Sequence, residues 1–227
     1  MLTIIFLNAQ YVLANTNASR PMFLLWGDSI TEFSVDPRRL GFQTILELSY
    51  NRKADVLNRG CSGYNTKDAM AITPSLMAEF KSHPPALVTI FFGANDACYP
   101  SSPIHVDLKS YKSNLELMIQ NVQRHWAKTK ILLITPPPVD DSRVKDRENS
   151  VTSTYAKTCV DVAKEFHLPV LDTWTKMSAI PKWPNLLRDG LHFNTKGNVV
   201  FHSMVLYEIK ANFPELSVES IQKQFPH

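Results

Sequence analysis

The sequence predicts an α/β fold: a parallel sheet of five short strands covered by helices on both faces. Three observations predict it. Short apolar runs alternate along the chain with stretches whose apolar residues recur at threes and fours, the first pattern fitting a buried strand and the second an amphipathic helix. The apolar runs lack polar alternation, as strands buried on both faces do. Each run then ends in a loop rich in Gly, Pro, Asn or Asp, where an open parallel sheet places its ligand crevice.

Met22 to Gly27 opens the series as a strand, and Asp28-Ser29 stands where the next helix should begin. A serine there lies near unpaired backbone N–H groups and the positive end of a helix dipole, which suits a nucleophile that generates an oxyanion. The other reading is plainer: Asp28 or Ser29 caps a helix. Thr31 to Arg39 reads as loop, with Asp36-Pro37 as a turn, and Leu40 to Tyr50 has helical spacing in Phe42, Ile45, Leu46 and Tyr50.

A second strand, Ala54 to Asn58, runs into the loop Arg59 to Thr66, and a helix follows to about Lys81. Ala86 to Phe92 is the clearest buried strand and leads into Gly93-Ala94-Asn95-Asp96-Ala97. The helix after it carries Leu108, Tyr111, Leu115, Met118, Ile119, Val122 and Trp126 on one face, a core stripe. Lys130 to Thr135 is the fourth strand, cut off by Pro136-Pro137-Pro138, which cannot continue a central ladder. A helix over about Glu148 to Phe166, a short strand Pro169 to Asp172, a loop holding Trp174 and Trp183, and a helix over about Thr195 to Asn212 complete the chain.

The length of 227 residues fits one domain with a core large enough to need no staples. The organisation expected is an N-terminal extension or weak signal-like segment over 1–20, one domain over 21–213 and a tail over 214–227. The net charge of +3 arises from 24 basic and 21 acidic residues that are well mixed, the densest cluster being Asp140 to Glu148 with both signs. That excludes a nucleic-acid stripe and a polybasic anchor. No apolar run approaches the roughly 20 residues that a membrane-spanning helix needs.

Cys61, Cys98 and Cys159 are an odd number without Cys-x-x-Cys spacing, so no disulfide framework is expected and a reducing compartment is favoured. The seven histidines have no paired-ligand spacing, and no metal site is expected. Leu2 to Leu7 has the character of a signal-peptide core, but Asn8 and Gln10 interrupt it and no Lys or Arg precedes it. An intracellular location is therefore favoured over secretion, and only export would give the acceptor pattern Asn17-Ala18-Ser19 a meaning.

Toward the C-terminus, Asp189 and His192 stand three apart in Arg188-Asp189-Gly190-Leu191-His192-Phe193-Asn194. A turn there can direct both side chains one way, the carboxylate holding one ring nitrogen while the other faces outward, as the acid and base of a Ser-His-Asp triad require. Taken singly, an Asp-x-x-His is also an ordinary surface turn. Oxyanion donors are to be sought in the neighbouring loops: Gly60 can bring a backbone N–H close, and Asn95 offers a side-chain NH2. A turn glycine and a capping asparagine are the alternatives. Ser62, in Gly60-Cys61-Ser62-Gly63, lacks the Gly-x-Ser-x-Gly spacing of the nucleophile elbow and is a poor rival to Ser29.

Gly-Asp-Ser-Ile, Asn-Arg-Gly, Gly-Ala-Asn-Asp and Asp-Gly-Leu-His, in this order at strand ends, together change the weight of each. From about Phe23 to Phe213 the chain resembles the SGNH (GDSL-type) hydrolase family, and within it the isoamyl acetate-hydrolysing esterase group. The subgroup rests on Leu57-Asn58-Arg59-Gly60 with Ser62 to Thr66, Phe91 to Ala97, and Asp189 to His192. Ile30 stands where the family's name has leucine, and Cys61 where a larger apolar residue, usually phenylalanine, is expected beside the pocket.

The resemblance implies a three-layer α/β/α sandwich of flavodoxin-like type. It implies Ser29 as nucleophile and first oxyanion donor, Gly60 and Asn95 as the second and third donors, His192 as base and Asp189 as its partner. No metal or organic cofactor is implied. The function expected is a serine esterase cleaving short-chain esters, acetate esters above all, through an acyl-serine intermediate. A lysophospholipase or thioesterase of the same fold is the alternative, and a non-catalytic binding protein the alternative of another class. The partner is a small ester; oligomeric state is not legible.

Overall fold

The computed structural model describes residues 20–224; the signal-like segment and acceptor asparagine expected before Arg20 lie outside the described residues. Five strands, β1 (Met22–Gly27), β2 (Asp55–Gly60), β3 (Leu87–Phe91), β4 (Lys130–Ile134) and β5 (Val170–Leu171), form one sheet in the order β2-β1-β3-β4-β5. Every pairing is parallel. Around it lie α1 (Ser29–Glu32), α2 (Phe42–Ser49), α3 (Thr66–Glu79), α4 (Leu108–His125), α5 (Asn149–Glu165), α6 (Thr173–Ser178) and α7 (Thr195–Asn212).

The strand pleat divides the core in two. Leu24 and Trp26 of β1, Val88 and Ile90 of β3, and Ile131 and Leu133 of β4 face the apolar stripes of α3, α4 and α5. Their alternates Phe23, Leu25, Leu87, Phe91, Leu132 and Ile134 face α2 and α7. This is the expected three-layer sandwich, and it explains why the strand runs carry no polar alternation: both faces are dry.

Phe201 of α7 ties the second layer to the site. Its ring lies 4.7 Å from Phe42, 5.2 Å from Phe91 and 5.0 Å from Phe193, centre to centre. Each such contact adds about 0.5–1.5 kcal/mol beyond area burial. Because Phe193 follows His192, the cluster also anchors the loop that carries the imidazole.

Three local expectations are corrected. Strand β2 continues through Arg59 and Gly60, since Trp26 and Gly27 of β1 pair with them. The segment 31–39 is wound rather than loop-like: α1 passes into 3-10 turns at Phe33–Val35 and Pro37–Arg39, the second started by the Asp36 carboxylate accepting the Arg38 N–H. The Trp174 segment is α6, whose first turn the Asp172 side chain caps by accepting from Thr175 N. His202 on α7 is half-buried, its Nε2 3.1 Å from Ser49 Oγ.

From 214 to 224 the chain stays on the domain. Tyr50 Oη donates to Leu216 O at 2.9 Å, and Leu216, Val218 and Ile221 pack against the α2–α7 layer. Among the described residues no helix is long and apolar enough to cross a membrane.

Candidate active site

Parallel strands place the loops following β1, β2 and β3 at one rim of the sheet, and the segment before α7 closes over it. Asp28, in extended backbone, accepts the Ile30 N–H on Oδ1 at 2.9 Å and caps α1. The cap and the nucleophile readings of this dipeptide are therefore divided between two residues: Asp28 caps, and Ser29 is the first helical residue. Ser29 is 8% exposed and its Oγ lies 2.8 Å from His192 Nε2.

The imidazole is set by a tight loop. Leu187 pairs with Phe193 across an antiparallel bridge, Arg188 N donates to His192 O at 2.8 Å, and Gly190 turns the chain at φ +95°, a conformation that favours glycine. Asp189 Oδ1 accepts the N–H groups of Leu191 at 3.0 Å and His192 at 2.8 Å, while Oδ2 lies 2.8 Å from His192 Nδ1. Arg188 Nε donates to the same Oδ2 at 3.1 Å, and its guanidinium covers the Phe33 ring at 4.9 Å. Phe33 in turn lies 5.2 Å from the His192 ring. Ser29, His192 and Asp189 thus form one hydrogen-bonded row.

Charge follows from this geometry. Burial pushes the Asp189 carboxyl up, but the His192 N–H, its ring and the Leu191 N–H outweigh that and bring it down to about 2. Burial is also the largest influence on His192, and with help from Arg188 and Arg147 it overcomes the opposing pull of Asp189, leaving the imidazole below its ordinary 6.5. At neutral pH the ring is uncharged beside an ionised carboxylate. Such a row can take a proton from the serine and hold the resulting imidazolium.

The hydrogen bonds made by Gly60 and Asn95 run elsewhere. Gly60 N donates to Asn58 Oδ1 at 2.7 Å, while Asn58 Nδ2 reaches Thr31 O at 2.7 Å and Gln43 Oε1 at 2.6 Å. Gly60 also permits contact: a Cβ there would stand 2.2 Å from Glu32 N. Asn95 is buried, and its Nδ2 donates to Tyr64 O at 2.8 Å, which leaves one amide hydrogen. Cys61 is half-buried beside this rim, with burial raising its thiol above the ordinary range, and Cys98 and Cys159 are buried.

Beside His192 a narrow crevice of about 10 Å³ is lined by Ile30, Phe33, Arg39, Arg188, Phe193 and Asn198. A wider hollow of about 560 Å³ lies at the opposite end of the sheet, among Pro21, Met22, Pro85, Ala86 and Lys130, where the strands begin. It has no part in this chemistry. Among the described residues no group of three or more His, Cys, Asp or Glu could hold a metal ion.

Four residues here escaped the sequence reading: Asn58, Phe33, Arg188 and Arg147. Asn58 belongs to the Asn-Arg-Gly block but was given no contact there, and Arg188 adjoins Asp189; that position was the available signal. Phe33 and Arg147 reach the site only through tertiary contact.

The GDSL-like lipase/acylhydrolase family profile matches residues 25–200, which contain the whole row. The chain belongs to that family. It is a carboxylic ester hydrolase. A GDSL esterase/lipase of Arabidopsis thaliana is 40% identical to this GDSL-type hydrolase over 84% of this chain and 86% of its own. The human isoamyl acetate-hydrolyzing esterase 1 homolog is 39% identical over 78% of this chain and 77% of its own. Among solved structures, the lipase/acylhydrolase from Enterococcus faecalis covers 91% of this chain at 26% identity with a TM-score of 0.71, all of that chain being matched. An acetylxylan esterase from Geobacillus stearothermophilus, 21% identical with a TM-score of 0.69 over 86% of this chain and 96% of its own, shares the fold.

Proposed function

We propose that this GDSL-type hydrolase is a serine esterase that cleaves short-acyl esters, acetate esters first, through an acyl-serine intermediate. The observation that carries the reading is the row Ser29–His192–Asp189, with both links at 2.8 Å. Neutral His192 takes the Ser29 proton as Oγ attacks the ester carbonyl, and Asp189 stabilises the imidazolium. The imidazolium then protonates the departing alkoxide. In the second half His192 takes a proton from water, whose oxygen attacks the acyl-serine, and returns it to Ser29 Oγ as the C–O bond breaks and the acid leaves.

The oxyanion is held by the Ser29 N–H, one of the first-turn groups that a helix leaves unpaired, and by the second amide hydrogen of Asn95. Gly60 joins them by sharing its N–H with Asn58 Oδ1 or exchanging that bond. The crevice beside His192 has room for about one water-sized group. Relatives named for isoamyl acetate hydrolysis support acetate.

A second reading, a lysophospholipase or thioesterase, is favoured by the exposed apolar residues Phe33, Val35 and Leu40 on the segment beside the site. A series of chromogenic esters from acetate to decanoate separates the two. Highest kcat/KM at acetate or propionate is expected; a steady rise toward long chains would establish the lipid reading instead.

A further inference from the structure

We propose that Arg147 is a positioning residue for the oxyanion amide, fixing Asn95 through the carbonyl of Ala94. The inference rests on the esterase reading above and gives a role to a residue that takes no part in the hydrogen-bonded row.

Arg147 lies in the connection from β4 to α5, and only 5% of it is exposed. Its Nη1 donates to Ala94 O at 2.6 Å. Nε and Nη2 form a two-pronged pair with Asp146, at 3.0 Å to Oδ1 and 2.9 Å to Oδ2. The same two residues hold the far end of the Asn95 loop: Cys98 pairs with Arg147 in an antiparallel bridge, and Tyr99 N donates to Asp146 O at 2.8 Å. The loop is therefore fastened at residue 94 and again at 98 and 99.

A buried guanidinium is a poor device for stability alone, because its desolvation offsets most of what the ion pair returns, and an apolar side chain of similar volume serves as well. It is a good device for geometry. The Ala94 carbonyl and the Asn95 nitrogen belong to one planar peptide, so a short charge-assisted bond to that oxygen also fixes the Asn95 Cα from which the amide side chain projects. At the other end Tyr64 O takes one amide hydrogen. Asn95 is thus gripped from both sides with a single donor left, and an oxyanion donor must be placed to within about half an ångström to be effective.

The test is a double-mutant cycle on kcat and KM with a chromogenic acetate ester, using N95A, R147M, R147K and the N95A combinations. N95A is expected to lower kcat about 100-fold, the usual worth of one oxyanion donor. R147M is expected to lower kcat by roughly 10-fold or more with KM changed less than about 3-fold, since the interaction lost is one made in the transition state. Compared on the pH plateau of each variant, so that the influence of Arg147 on His192 titration drops out, the Arg147 change should cost almost nothing further in the N95A background, because its partner is already gone. Additive losses in the double variant, or a raised KM with unchanged kcat, would overturn the role of Arg147 while leaving the esterase reading intact. Full kcat in N95A would remove the oxyanion assignment itself and the Arg147 proposal with it. R147K, which keeps the charge but cannot serve Ala94 O and both Asp146 oxygens together, carries the same cycle if R147M does not fold.

Discussion

Ser29 Oγ and His192 Nε2 stand 2.8 Å apart although 163 positions separate them in the chain. The contact joins the start of α1 to the loop before α7. S29A is expected to lower ester hydrolysis by a factor of about 10⁴ or more, leaving whatever the oxyanion donors supply. It should also end labelling by an organophosphonate. A variant that still takes up the label would place the nucleophile elsewhere.

The rate should rise with pH, because only neutral His192 accepts the serine proton. Its ring titrates below 6.5, burial being the main cause, so kcat/KM is expected to be half-maximal below pH 6.5 and to level off above it. In D189N the one remaining amide oxygen is held by the Leu191 and His192 N–H groups, which turns the NH2 toward Nδ1 and favours the wrong tautomer, and kcat should fall by roughly 10²- to 10⁴-fold at the plateau. A rate that is level from pH 5 to 8 would count against His192 as the base.

Asp28 makes stability depend on pH. It is 1% exposed, and its carboxyl is pushed up to about 7, chiefly by burial and further by Asp96, against the downward pull of the Ile30 N–H and Arg147. The folded state therefore keeps a proton that the unfolded chain releases near 3.8. Its stabilising contribution is complete below that pH and is lost as pH rises toward 7. Asp96, raised to about 6, acts in the same direction. D28N retains an oxygen for the Ile30 N–H, so its urea-unfolding free energy should fall less between pH 5 and 7 than the wild type's, by roughly 2 to 3 kcal/mol. Parallel profiles for the two proteins would refute this.

The sheet was legible because its central strands are dry on both faces, which writes an apolar run into Met22 to Trp26 and one broken by Thr89 alone into Leu87 to Phe92. The bounds of α7 were readable for a similar reason: Asn194 accepts the Lys196 and Gly197 N–H groups and marks the start. By contrast α6, six residues long, is too short to display a helical period. Within the site, Ser29 could be found because it follows the glycine that ends β1, and Asp189 and His192 because they stand three apart in one short motif before α7. Arg147 could not. It lies in the mixed-charge run from Asp140 to Glu148, where alternating signs look like solvated surface, and only the fold shows that its guanidinium turns inward to Ala94 O.

Gly60 carries a further prediction. The sequence suggested a glycine whose N–H approaches the substrate; the structure adds that its missing side chain admits α1. A Cβ at this position would stand 2.2 Å from Glu32 N and 2.7 Å from Thr31 C, both backbone atoms that cannot swing aside. G60A must then push α1 away from β2, and Ser29, the first residue of α1, would move with it. Overpacking of this kind costs about 1–3 kcal/mol, and a shift of even 1 Å in a reacting atom can cost about 100-fold in rate. Thermal denaturation should show the stability loss, and kcat should fall by far more than the unfolded fraction explains. If kcat per folded molecule were unchanged, the close approach of Gly60 to α1 would be shown not to set the position of Ser29.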